Sequence, residues 1–183
     1  MTPLTCFNKI RILPLLIASA LIVGALTPVP ALATPTCGVV SITLFHPNSG
    51  PDLPNAFFPS GSLNLMCHDA RIWQFITRVL GDSDLYVTKH TFAAGGQTGW
   101  HSHPGPSLIT VIEGTLTVYH PGCTVETFSA GESFTDLGCG DIHDVRNETN
   151  AEAQDVAVQI VPHGAPRRVD EPDQGCVPLC PPF

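Results

Sequence analysis

The cadence of short apolar runs limits this chain's fold more than any other feature. From Leu85 to Val161, strand-forming residues come in runs broken by glycine turns: Leu85–Phe92 (LYVTKHTF), Leu108–Ile112 before Glu113-Gly114, Thr115–Tyr119 before Pro121-Gly122, and Thr124–Phe128 before Ala130-Gly131. Two more runs follow, Ile142–Arg146 and Val156–Val161. Runs this short, at intervals of about 8 to 12 residues, fit an all-β sandwich or barrel. Upstream, Val39–Phe45 (VVSITLF) reads as a strand and His46–Ser62 as a long loop. Ile72–Val79 and Leu85–Phe92 read as the two arms of a hairpin around Gly81–Asp84. The expected plan is therefore strands and a loop packing on the barrel (34–84), a barrel core (85–163) and a proline-rich tail (164–183) wrapped over it and pinned by Cys176 or Cys180.

The first 33 residues stand apart from this pattern. Lys9 and Arg11 precede an apolar run, Ile12–Leu26, and Ala31-Leu32-Ala33 follows. Together they read as a secretory signal peptide cleaved after Ala33. The run is short for a membrane span, which needs roughly 20 residues; the competing reading is an uncleaved anchor. Cleavage would leave 150 of the 183 residues, enough for one domain with its own core. It would also remove Lys9 and Arg11, leaving six Lys+Arg against sixteen Asp+Glu, a net charge of −10. So acidic a surface repels phosphate backbones and anionic lipid, which argues against nucleic-acid and membrane partners. With Cys6 gone, six cysteines remain (Cys37, Cys67, Cys123, Cys139, Cys176 and Cys180). An even number in an exported chain reads as disulfides, with pairing left open; a thiolate metal site is the alternative, although no Cys-x-x-Cys pair is present.

Chemistry enters at Gly99–Gly114, GWHSHPGPSLITVIEG. Alternate side chains of a strand share a face, so His101 and His103 offer two imidazoles to one point while Trp100 and Ser102 face the other way. Metal–nitrogen bonds near 2.0–2.1 Å allow such a pair to share a cation. Pro104-Gly105-Pro106 then fixes the direction of the backbone.

The spacing Gly95, five residues, His101, one residue, His103, and later Gly114, resembles the first motif of the cupin superfamily. Gly131 followed by Gly140-Asp-Ile-His143-Asp-Val-Arg-Asn147 resembles the second, with its usual proline missing and one residue added between Gly131 and Gly140. The resemblance covers about Leu85 to His163. It implies a cupin-type double-stranded β-helix, or jelly-roll barrel, with His101, His103 and His143 as metal ligands. The glutamate that most cupins add has no counterpart, because its slot falls on Ser107 or, one residue along, on Leu108. Glu113, just before the turn glycine, is expected at the rim.

The missing carboxylate matters for charge. Three neutral histidines leave a bound divalent ion at +2, one unit more electrophilic than a carboxylate-bearing site, which favours an anionic ligand or a bound hydroxide. Two chemistries share that design: oxygen activation by three-histidine cupin dioxygenases acting on an anionic substrate, and zinc-type Lewis-acid chemistry. A third reading is a barrel that binds a ligand or metal without reacting. Fe, Mn, Cu, Zn and Ni all remain open, with ferrous iron the hardest to keep reduced in an exported protein. The expected partner is a small anionic molecule, with a homodimer also compatible. His46, His68, His90, His120 and His163 match no ligand spacing, although His90 lies on the strand leading into the motif. Asn147-Glu148-Thr149 is a glycosylation sequon, but its asparagine coincides with the motif asparagine, which favours a structural role.

Overall fold

The computed structural model describes residues 33–46, 52–69 and 73–176, and every regular element among them is a β-strand. The segment read as a signal peptide lies outside them apart from Ala33, as does Cys180. The strands are β1 (Cys37–Thr43), β2 (Ala56–Phe58), β3 (Met66–Asp69), β4 (Trp73–Ile76), β5 (Ser83–Gln97), β6 (His101–Ser102) and β7 (Ser107–Glu113). β8 (Thr115–Tyr119), β9 (Val125–Ser129), β10 (Ser133–Asp136), β11 (Asp144–Arg146), β12 (Ala153–Pro162) and β13 (Val169–Asp170) complete the set.

Antiparallel pairing orders the main sheet β10-β7-β12-β5-β11-β8-β9, with β1 and β2 added along β5. The sheet curls into a nearly closed barrel, so the chain is all-β with the jelly-roll form. Its inner surface is written in the two-residue period. Ser107, Ile109 and Val111 of β7 are buried while Leu108, Thr110 and Ile112 are exposed. On β12, Ala153, Asp155, Ala157, Gln159 and Val161 point inward. Phe92, Val111, Leu116, Val118, Val145 and Ala153 pack together as an apolar core, backed by Val39, Phe128 and Phe134. Polar inward residues such as Ser107, Asp155 and Gln159 line a cavity instead.

Two expectations fail here. Of the run Ile72–Val79, the described residues 73–79 do not pair with Leu85–Phe92: β4 pairs with β3, and all four β4 residues are exposed. Both edges of β5 are already taken, one by β12 and the other by β1 and β2, so no edge is left for β4. Nor are all the cysteines paired. Cys123 is bonded to Cys176 across 53 residues and Cys37 is also disulfide-bonded, but Cys67 and Cys139 are free and exposed. The Cys123–Cys176 bridge ties the tail to the β8–β9 turn. β10, which the sequence pattern did not pick out, proves important for the site.

Candidate metal centre

His101 and His143 face each other across the barrel wall. Their backbones exchange two hydrogen bonds, each 2.9 Å, so the two side chains emerge side by side. His103 follows two residues after His101, on the same face. The ring centroids lie 4.9 Å (His101–His103), 4.3 Å (His101–His143) and 5.4 Å (His103–His143) apart. One nitrogen from each ring lies within 4.8 Å of the others, close enough for the three to hold one ion.

The backbone also decides which nitrogen each ring offers. Nδ1 of His101 donates to the Gly99 carbonyl (2.8 Å), Nδ1 of His103 to the Arg167 carbonyl (2.7 Å) and Nδ1 of His143 to the Asp141 carbonyl (3.3 Å). A carbonyl only accepts, so each Nδ1 carries the proton and each neutral ring keeps its lone pair on Nε2. This is the arrangement that orients metal-binding imidazoles. Burial keeps the rings neutral. It drives His101 well below the usual histidine range, His103 to about 3, and His143 down against the opposing pull of Asp136.

The three rings open into a cavity of about 610 Å³. Ser107 lines it and is buried; its Oγ accepts from Gln159 Nε2 at 3.1 Å. A carboxylate is nevertheless close by. Asp136 on β10 is the register partner of Ser107, and its Oδ2 lies 3.9 Å from His103 Nε2. Sequence reasoning sought a carboxylate along the strand after His103 and missed one delivered from the neighbouring strand. Burial pushes the Asp136 carboxyl up. The three imidazoles that converge include no carboxylate, and an acid stands beside them on the neighbouring strand.

Other expected placements hold. Glu113 is exposed at the turn. Trp100 is fully buried, away from the cavity. Asn147 is buried, and its Nδ2 donates to the carbonyls of Phe92, Ala93 and Ala151, which leaves that amide closed to a glycan in the folded protein. His90 lines the cavity, with Nδ1 held by Asp155 Oδ1 at 2.6 Å.

Segments outside the barrel core clamp the ligand strand. β13 pairs with β6, setting Asp170 opposite His101 and Val169 opposite Ser102. Ser102 Oγ donates to Glu171 Oε1 at 2.7 Å, and Thr34 Oγ1 accepts from the Trp100 amide. Gly99 has φ +71, and a Cβ there would strike the Thr34 carbonyl, so only glycine permits this approach. On the opposite side the altered second motif packs in: the Gly138 Cα sits against the Gly105 backbone, and the Gly140 amide donates to the His103 carbonyl.

The model of the cupin domain family matches residues 88–158, a span that contains all three histidines. Residues 88–158 are a cupin domain. This cupin is similar to a cupin domain from Bordetella pertussis, with 29% identity over 42% of this chain and 80% of that one and a TM-score of 0.37. It is also similar to a Klebsiella pneumoniae protein with a double-stranded β-helix domain, at 21% identity over 49% and 76% of the two chains and a TM-score of 0.43. An oxalate oxidase is 26% identical over 43% of this chain and 46% of that one, with a TM-score of 0.37. None of the curated proteins matches significantly.

Proposed function

We propose that this cupin is exported, with cleavage after Ala33, and binds one divalent metal ion through Nε2 of His101, His103 and His143 to oxidise a small anionic substrate. The observation that carries the reading is the set of three buried neutral imidazoles, each with its proton tied to a carbonyl and its lone pair free to converge with the others. Among the described residues no hydrogen-bond donor meets those lone pairs, and the donor set suits Fe, Mn, Cu, Zn or Ni. Bound there, such an ion supplies oxygen activation or, if zinc, Lewis acidity.

The chain's own residues do the rest. The carbonyls of Gly99, Asp141 and Arg167 fix the rings. Ser107 leaves room beside them that a glutamate would fill. Arg167 and Arg168 line the same cavity and draw an anion inward, and Ile109, Phe134 and Val145 exclude water from one side. Metal analysis of protein from its native compartment, followed by oxygen uptake with diketones, thiols and hydroxy-aromatic acids, tests the reading. Stoichiometric metal and oxygen consumption with one of them support it. Metal without oxygen uptake would make the protein a binding cupin or a Lewis-acid enzyme; absence of metal would remove the proposal altogether. Export is checked by intact mass, where a mature form beginning at Thr34 is expected.

A further inference from the structure

We infer that Arg167, on the tail and outside the residues that match the family, is the carboxylate-recognising residue of the cavity, so that the ligand is a small carboxylic acid. The inference rests on the proposed function in placing that ligand beside the histidines.

Position is the first argument. The Arg167 carbonyl bonds His103 Nδ1 at 2.7 Å, so the residue is built into the wall next to the three imidazoles, and its side chain lines the same cavity. Partnership is the second. Arg146 is paired with Asp144 at 2.7 Å, and Arg168 is held by Asp170 at 2.7 Å and by the Thr98 carbonyl at 2.8 Å. The Arg167 guanidinium has no ion pair among the described residues, and its Nε is fully buried without an acceptor. The nearby acids do not fill that role. Asp155 is bonded to His90, and Asp52, although on the same cavity, is in no ion pair among the described residues. Leaving a buried donor of a charged group unpaired is costly. A carboxylate is the group whose two oxygens match the planar fork of a guanidinium. Nothing about this residue is visible in the barrel motifs, because the tail is brought to the site by long-range contacts, among them β13–β6 pairing, the Ser102–Glu171 bond and the Cys123–Cys176 bridge.

The test uses full-length mature protein, metal-free and metal-loaded, with salicylate, malonate and acetate as probes and salicylamide as the neutral counterpart of salicylate. At least one carboxylate is expected to bind wild type with a dissociation constant below about 1 mM, and salicylamide to bind at least ~10-fold more weakly than salicylate. Arg167→Gln should weaken the binding carboxylate by ~10-fold or more, with metal stoichiometry unchanged, while Arg168→Gln costs less. Carboxylate binding that depends on Arg167 in protein that takes up no metal would refute the metal proposal and leave this inference standing. The inference is overturned if no carboxylate binds, if Arg167→Gln binds the carboxylate as well as wild type, or if salicylamide binds as tightly as salicylate. The comparison of charged and neutral probes uses wild type alone, so it decides the matter even if Arg167→Gln does not fold.

Discussion

Replacing Cys123 and Cys176 together by serine removes a covalent link that spans 53 residues. In the chain-entropy account, a loop of that length restrains the unfolded chain by about 4 kcal/mol, a large share of the roughly 5–15 kcal/mol that holds a domain together. The loss should not be confined to stability. Without the bridge, the tail is held to the ligand strand chiefly by β13 against β6 and by Ser102 with Glu171. As it frays, the Arg167 carbonyl leaves His103 Nδ1, and that ring loses the contact that fixes its orientation and proton position. Loss of such an outer contact typically lowers metal affinity about 10–100-fold. Urea denaturation of the metal-free double variant gives the first quantity, and titration against a competing chelator gives the second; circular dichroism confirms that the barrel persists. A folded variant with metal affinity within about threefold of wild type would refute the claim that the tail organises the centre.

Alanine at His101, His103 or His143 should abolish stoichiometric metal while circular dichroism still reports a folded barrel; full occupancy in the triple variant would mean the wrong ligands. The metal-free protein should lose stability on acidification. Burial holds His103 neutral down to about 3, so the unfolded chain takes up a proton below about 6.5 that the folded chain refuses. That stability is complete above about 6.5 and falls by about 1 kcal/mol per pH unit below it, with His101 and His143 adding in the same sense and Asp136 and Asp144, whose carboxyls burial pushes up, opposing it. Urea denaturation at about pH 7.5 and about pH 5.5, with His103→Gln giving a shallower dependence than wild type, checks the sign and the residue. Ser107→Glu should tighten metal several-fold and weaken anion binding, because the new carboxylate faces the imidazoles; chelator competition on the folded variant measures it, and unchanged affinity would mean Ser107 is not the vacated slot. Gly138→Ala should lower the melting temperature far more than Gly140→Ala, since both have positive φ but only a Cβ at 138 meets backbone, that of Gly105. Thiol labelling of the unreduced protein with mass spectrometry should mark Cys67 and Cys139.

The barrel was legible from the chain because strand period and glycine turns are local properties, and the side chains of Ser107–Val111 alternate in and out as their order requires. His101 and His103 were legible for the same reason, being two apart on one strand. His143 could be joined to them only through the spacing of a family motif, since no local rule brings residues so far apart in sequence to a backbone pair. Tertiary structure alone decided the rest. Asp136 reaches the centre because β10 pairs with β7 in a register that sets it opposite Ser107, and a one-residue slip would turn it outward. The failed hairpin has the same origin: β4 carries good strand residues, but which edge a strand finds depends on what already occupies β5. The thiols of Cys67 and Cys139 stay free because pairing needs two sulfurs at bonding distance, which an even count does not supply. Arg167 lies 64 residues from His103 in sequence and meets it through a carbonyl. A backbone group is the same at every position, so the residue order carries no mark of it, and only the folded path of the tail puts that carbonyl, and the guanidinium beyond it, beside the three histidines.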